Sequence, residues 1–156
     1  MQRAIALVLM AVILSSCGQK ASVEEMADGS CTSAQTTLVD NHISAQIDAL
    51  AKKNWELAFS FASASFQENI GIDQFILIIN QQYVMLIENQ GYQFEKCTIA
   101  DDKITQQVNV KSGEQDYYLT YRLSINGTTL GIEAAVVGVA DTNQNNGKSI
   151  VSKVLY

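Results

Sequence analysis

Few residues of this 156-residue chain have the types and spacing that catalysis or metal binding requires. The single histidine, His42, lies one position from the apolar stripe of a predicted helix, and we interpret it as a solvated residue because one imidazole makes neither a zinc site nor a Ser-His-Asp relay. The GKS run at residues 147–149 ends like a phosphate-binding loop, but Thr142 stands where the first glycine is required. The run at residues 141–145 begins like a calcium loop, but Ser152 replaces the bidentate glutamate. The sequence therefore predicts no catalytic residue, no metal site and no cofactor.

An apolar run near the N-terminus ends at a cysteine. Residues 4–14 are apolar and follow Arg3, and the run is too short to cross a hydrocarbon layer that needs about 20 helical residues. It leads into the sequence LSSC, which is Leu14, two serines and Cys17. This sequence resembles the lipobox of bacterial lipoproteins, in which the cysteine sulfur accepts diacylglycerol before the chain is cleaved on its N-terminal side. The alternative is an ordinary secretory signal with an incidental cysteine in its cleavage region.

The lipobox resemblance implies a signal peptide at residues 1–16 and a mature chain that begins at Cys17 with several acyl chains, such as palmitate. Each buried methylene contributes about 0.8 kcal/mol, so these chains anchor the protein to a membrane without a transmembrane helix. We therefore expect a protein of the bacterial cell envelope that faces the periplasm or the exterior. Gly18 is not the aspartate that resembles an inner-membrane retention signal, which favours the outer membrane in a bacterium with two membranes.

Two of the three cysteines remain after lipidation of Cys17. In an exported protein this even number favours a disulfide between Cys31 and Cys97. Such a bond closes a loop of about 65 residues and stabilises the fold by about 4 kcal/mol in the chain-entropy model. The alternative is two separate buried thiols, because two cysteines make no framework pattern.

The mature chain divides into a tether and one domain. Residues 17–37 are small and polar without an apolar period, which predicts a flexible segment that follows the lipid. Residues 38–156 are long enough for a single domain with a proper core. The formal charge is −6 and becomes −7 when Arg3 is removed, and no stripe of Lys or Arg offsets it. We therefore expect no nucleic-acid partner.

Three helices are predicted at the start of the domain. Leu38 to Lys52 has one apolar stripe, and Trp55 to Phe66 aligns its aromatic residues on one side. Ile72 to about Glu88 is apolar over most of its circumference, which predicts a helix that lies between other elements. Gly71 and Gly91 bracket this third helix.

Strands with a period of two follow Gly91. A turn at Gly113-Glu114 pairs apolar residues on one face, namely Val110 with Tyr117, Val108 with Leu119 and Ile104 with Leu123. A turn at Asn126-Gly127 places Leu123 opposite Leu130, Tyr121 opposite Ile132, Leu119 opposite Ala134 and Tyr117 opposite Val136. The last strand, Ser149 to Tyr156, is predicted to bring Val154 to Val136 and Ile150 to Ala140.

The first strand, Tyr92 to Ile99, fits this pattern less well. Ile99 falls on the core face across a turn at Asp101-Asp102, but Tyr92 and Phe94 then fall on the other face. Either a bulge near Cys97 shifts the register, or the two aromatic residues pack outside.

Three helices followed by an antiparallel sheet of about five strands predict an α+β domain in which the helices cover one apolar sheet face. Residues 43–137 also resemble an uncharacterised bacterial family of the nuclear-transport-factor-2-like superfamily. The matching features are an Ala-Leu pair, an aromatic, alanine-rich second helix, Phe and Tyr in the third, and a strand meander that ends in a Gly turn. The resemblance implies a curved sheet wrapped as a cone on a long helix. It departs where the family commonly has a tryptophan after the Gly turn, because this chain has Thr128-Thr129-Leu130.

Five aromatic residues are candidates for lining the interior of this cone: Trp55, Phe59, Tyr83, Tyr117 and Tyr121. Buried tyrosine hydroxyls need partners, so these side chains either belong to a filled core or surround a cavity that a ligand completes. We expect a non-catalytic binding or scaffold module for a small apolar ligand or another envelope protein. The alternative is an enzyme similar to the superfamily's isomerases and dehydratases, with a pocket carboxylate as base. Glu133 and Asp116 are predicted to point away from the core, and Glu95 enters it only without a bulge in the first strand.

Overall fold

The computed structural model describes residues 26–126, 129–139 and 153–154, and these form an α+β fold. Its helices are α1 (Ser33–Ala51), α2 (Trp55–Ser60), α3 (Ala64–Asn69), α4 (Ile72–Gln82) and α5 (Val84–Ile87). The strands form one antiparallel sheet, in which neighbours in the chain are also neighbours in the sheet: β1 (Gly29–Ser30), β2 (Gly91–Ala100), β3 (Lys103–Ser112), β4 (Gln115–Asn126), β5 (Thr129–Val139) and β6 (Lys153–Val154). Strand β1 precedes α1, and the other strands follow the helices. The predicted α+β class is confirmed. The predicted signal peptide and Cys17 lie outside the described residues, and so does the calcium-like run.

The first helix begins earlier than its apolar period predicts. Thr32 accepts a hydrogen bond from the backbone of Gln35, and the Gln35 side chain accepts one from the backbone of Thr32, which makes a complete capping box. Helix α1 therefore starts at Ser33, and β1 pairs with β2 before it. The prediction that the tether reaches residue 37 is wrong for residues 29–37, because a polar cap and a sheet pairing fix this stretch without an apolar period.

The predicted second helix is two short helices with an extended connection. The backbone of Ser63 donates to the carbonyl of Ile132 at 2.8 Å, and the backbone of Ile132 donates to the carbonyl of Phe61 at 2.9 Å. Ser63 then caps α3 by accepting a hydrogen bond from Phe66 at 3.2 Å. The helix is interrupted because residues 61–63 pair with Ile132 of β5.

The predicted third helix is also divided, and its two parts differ in burial. Helix α4 ends before Tyr83, and α5 begins after it. Only one face of α4 is buried, through Phe75 and Ile79, whereas Leu77 is 54% exposed. The prediction of a helix that lies between other elements is therefore wrong for α4, which has solvent on its outer side, whereas α5 contacts both α1 and β3.

The first two hairpins of the sheet follow the predicted registers. Ala100 pairs with Lys103 across Asp101 and Asp102, whose φ angles of 51° and 57° suit a mirror-image hairpin turn. The register shifts between Phe94 and Cys97, so the bulge is the correct alternative of the two. Between β3 and β4 all three predicted pairs are confirmed: Ile104 with Leu123, Val108 with Leu119 and Val110 with Tyr117.

The hairpin of β4 and β5 differs from the prediction. Asn126 pairs with Thr129, so Leu123 lies opposite Ile132 and not opposite Leu130. A second irregularity at Arg122/Leu123 then brings Tyr121 opposite Ala135, Leu119 opposite Val137 and Tyr117 opposite Val139. The predicted partners of Tyr121, Leu119 and Tyr117 are therefore wrong by three residues, because the turn shifts the pairing by two and the bulge adds one. On the other side of β5 the pair of Val136 with Val154 is confirmed, and the predicted pair of Ile150 with Ala140 lies outside the described residues.

Within the described residues, no helix combines the length and the apolar character that crossing a membrane requires.

Candidate functional site

A disulfide fastens the N-terminal segment to the first long strand. Cys31 and Cys97 are bonded, with their Cα atoms 5.4 Å apart, and the Cys31 backbone donates to the Cys97 carbonyl at 3.2 Å. Next to this bond, Gly29 pairs with Ile99. The predicted disulfide is confirmed, and it fixes β1 to the outer edge of the sheet.

The space between the helices and the sheet is almost filled. The cavity there has a volume of about 20 Å³, which is enough for about one water molecule. Its lining is mainly aliphatic and aromatic, with three polar side chains: Gln46, Tyr83 and Tyr121. A ligand of several carbons does not fit in this volume.

The structure brings two of the five predicted pocket residues to this cavity. Tyr83 and Tyr121 are fully buried and lie in its wall. Trp55, Phe59 and Tyr117 are partly exposed and are not part of its lining. Phe59 instead packs against the ring of Phe75, with centroids 5.3 Å apart, and the Tyr117 hydroxyl donates to Gln115 at 3.4 Å. These three side chains therefore pack in the core or at the surface and do not surround this cavity.

The two cavity tyrosines are in different hydrogen-bonding states. The Tyr83 hydroxyl donates to the carbonyl of Ala135 at 2.6 Å. The Tyr121 hydroxyl has no hydrogen-bond partner within the described part of the chain. Burial, with smaller contributions from Tyr83 and Tyr92, raises the pKa of Tyr121 far above its usual value. Tyr121 is therefore a neutral phenol and does not act as a base.

The acidic residues considered as possible bases lie away from the cavity. Glu95 and Asp116 are exposed, and the bulge in β2 explains why Glu95 does not enter the core. Glu133 lies outside, where its Oε1 accepts a hydrogen bond from the Lys103 Nζ at 2.6 Å and its Oε2 lies 3.4 Å from the Arg122 Nε. The described cavity wall contains no carboxylate.

Residues 32–143 match the family model described as Domain of unknown function (DUF4864), which is more than half of the chain. The chain belongs to this family. No curated protein and no solved structure matches it. The matched span begins at Thr32, the cap of α1, so Cys31 lies just before it. The disulfide thus ties the preceding segment to the DUF4864 domain.

The histidine of the DUF4864 domain has a structural role that the sequence did not indicate. His42 is partly buried, its Nε2 lies 3.0 Å from the Phe61 carbonyl, and its ring meets the edge of the Phe61 ring at 5.2 Å. Burial lowers the pKa of His42, although the backbone contact opposes this shift. The interpretation of His42 as a solvated residue is wrong, because it supports the break between α2 and α3.

The cluster of Lys103, Arg122 and Glu133 in the DUF4864 domain was missed by sequence reasoning as well. Partial burial acts to raise the pKa of Glu133, but hydrogen bonds from Lys103 and Ser124 and the charges of Lys103 and Arg122 outweigh it, so the pKa lies below its ordinary value. Glu133 is therefore ionised at neutral pH. The described residues contain no group of three or more His, Cys, Asp or Glu side chains that suits a metal ion.

Proposed function

We propose that this DUF4864 protein is an exported, lipid-anchored, non-catalytic module of the bacterial cell envelope that binds another envelope protein. The lipobox resemblance at Cys17 supports the anchor. The disulfide between Cys31 and Cys97 supports export, because such bonds persist in oxidising compartments and are rare in the cytosol. In a bacterium with two membranes, Gly18 supports the outer membrane as the site of the anchor.

The observation that carries the non-catalytic assignment is the filled interior. A cavity of about 20 Å³ without a carboxylate in its wall offers neither room for a substrate nor a general base. The alternative of an isomerase or dehydratase therefore has no support at this position. A small apolar ligand in the interior is the less favoured form of the binding role, since the helices would have to move apart to admit it.

A nuclear-transport-factor-2-like architecture remains part of the proposal. Its support is the order of the elements, in which all the helices precede the long strands of one antiparallel sheet. The filled interior departs from the open cone that the resemblance implies.

The outer surface of the helical layer is the part that we assign to a protein partner. Leu57 on α2 is 46% exposed and Leu77 on α4 is 54% exposed, and these two helices contact each other. A contiguous apolar patch on adjacent helices is typical of a surface that another protein covers, and we assign Leu57 and Leu77 to such a patch.

A photo-cross-linking residue at position 57, in the full chain expressed in a bacterial envelope, tests this role. We expect a protein adduct that disappears when Leu77→Gln is added. The matched control carries the cross-linker at Glu114, an exposed residue of the turn between β3 and β4, and is expected to give no such adduct. Equal adducts at the two positions, or none at position 57, would contradict the proposal.

A further inference from the structure

A groove at the edge of the sheet separates α3 from the bulged strand β5. Its volume is about 550 Å³, which is within the usual range of small-molecule sites. The lining includes the polar side chains of Ser65 and Asn69, the apolar side chains of Phe66 and Ile70, and the charged side chains of Arg122 and Glu133. The groove is separate from the interior cavity, and the ring of Phe66 forms part of the wall of both.

The cluster of Lys103, Arg122 and Glu133 beside the groove has one positive charge in excess. Glu133 is paired with Lys103 at 2.6 Å, which balances its charge, and only the Nε of Arg122 lies near its second oxygen at 3.4 Å. The side chain of Arg122 is 58% exposed, whereas that of Glu133 is 17% exposed. The sign of this local charge is opposite to the formal charge of the chain, which is −6.

The orientation of Arg122 leaves its terminal nitrogens accessible. Glu133 Oε2 lies 3.4 Å from the Nε of Arg122, whose side chain is 58% exposed, and the described part of the structure contains no hydrogen bond from its two Nη atoms. The free edge of a guanidinium matches the two oxygens of a carboxylate. The bulge places Glu133 at the position where it orients Arg122, which is a common use of bulges beside binding sites.

The apolar floor of the groove favours a ligand that also carries a hydrocarbon group. Phe66 and Ile70 are each 8% exposed; Phe66 lies on α3 with Ser65 and Asn69, and Ile70 directly follows this helix. A ligand that only carries charge leaves this apolar floor uncovered, so a hydrocarbon group beside the anion gains from covering it.

We propose that this groove binds small organic acids whose carboxylate carries a short hydrocarbon chain. The carboxylate pairs with the Nη edge of Arg122, and the hydrocarbon chain packs on Phe66 and Ile70. This site lies beyond the proposed partner-binding role, and it depends neither on the lipid anchor nor on the surface of α2 and α4.

The arginine content of the chain makes a direct test practical. Arg3 and Arg122 are the two arginines, and Arg3 belongs to the predicted signal peptide. In the full chain labelled with 15N-arginine, the Nε–H signal of Arg122 is identified by its loss in Arg122→Gln. We expect pentanoate to shift this signal to saturation, with pentanol and inorganic phosphate each binding about tenfold or more weakly.

Two variants that each remove one positive charge distinguish binding at Arg122 from a general effect of the protein's charge. Arg122→Gln should weaken pentanoate binding about tenfold or more, as followed by the backbone amide signals of residues 63–70. Lys111→Gln removes a cation from a different groove and should leave the binding unchanged. The proposal is overturned if pentanoate leaves the Arg122 signal unmoved, if pentanol or phosphate binds equally well, or if the two variants lose binding equally.

Discussion

At the scale of single residues, two buried tyrosines in the interior of the domain differ in the hydrogen bonding of their hydroxyl groups. Tyr83 has a partner for its hydroxyl, and the Tyr121 hydroxyl has none among the described residues. A buried hydrogen bond contributes to stability, whereas an unsatisfied buried group costs free energy.

The two tyrosines should therefore respond differently to loss of the hydroxyl. Tyr83→Phe should lower the free energy of unfolding by about 1–2 kcal/mol, because the carbonyl of Ala135 loses its donor. Tyr121→Phe should leave this free energy unchanged or raise it. Denaturant unfolding of both variants measures the difference, and an equal or larger loss for Tyr121→Phe would show that its hydroxyl is satisfied.

His42 gives the fold a dependence on pH. Its pKa is lowered in the folded state, so the unfolded chain binds more protons as the pH falls through the ordinary histidine value of 6.5. The stability that neutral His42 contributes is present above that pH and is lost as the pH falls towards the folded pKa. The free energy of unfolding should therefore be lower at pH 5.5 than at pH 7.5, which are about one unit on either side of the histidine value.

His42→Gln is the matched variant for this effect, because its amide can still donate to the Phe61 carbonyl without titrating. The decrease in stability between the two pH values should be smaller in His42→Gln than in the unmodified chain. Identical decreases would assign the pH dependence to groups other than His42.

At the scale of elements, the approach of α3 to β5 depends on a glycine. A Cβ atom added to Gly131 would lie 2.6 Å from the Cα of Ser63, which is the residue that pairs with Ile132 and caps α3. Because this contact is with backbone, it cannot be relieved by rotation of a side chain.

Gly131→Ala should lower the free energy of unfolding by about 1–3 kcal/mol through this overlap. Gly71→Ala is the control, since its added Cβ meets no atom within 4 Å. Thermal unfolding measures the stability of both variants. If Gly131→Ala is as stable as the unmodified chain, residues 61–63 do not pack against β5.

The elements that could be predicted are those with local signals. The hairpin of β3 and β4 was predicted because Gly113, with φ of 63°, identifies its turn. The register of β4 and β5 was not. At the turn the pairing is shifted by two residues, which keeps the side chains on the same face and so passes the test of alternation. The bulge at Arg122/Leu123 adds a third residue, and no local pattern indicates it. The break at Phe61–Ser63 arises from hydrogen bonds to a distant strand, which no local pattern reveals.

The start of α1 and the candidate sites follow the same rule. The capping box at Thr32 and Gln35 was present in the sequence and would have located the start of α1. The cluster at Arg122 and Glu133 depends on a bulge and on three strands, so it had no local signal. Trp55 and Phe59 were selected because they align on one side of the predicted second helix, and Tyr117 because it lies on the apolar sheet face. A position on an apolar face does not distinguish the lining of a cavity from ordinary packing.

At the scale of the whole molecule, the disulfide joins two positions 66 residues apart, and this links the N-terminal segment to the DUF4864 domain. Replacing both cysteines by serine should lower the free energy of unfolding by about 4 kcal/mol, because the unfolded chain regains the entropy of an open loop. Denaturant unfolding measures it, with Cys17→Ser as a control that should leave stability unchanged. A negligible loss in the double variant would mean that the bond does not constrain the unfolded chain.

We propose that the protein is anchored in the envelope through Cys17. The most direct measurement is the intact mass, with fragmentation of the N-terminus, of the protein isolated from bacterial membranes after alkylation without reductant. The account predicts a chain that begins at an acylated Cys17 and has no alkylated thiol at Cys31 or Cys97. A chain in the membrane fraction that retains residues 1–16, or that begins elsewhere with Cys17 free of lipid, would contradict it.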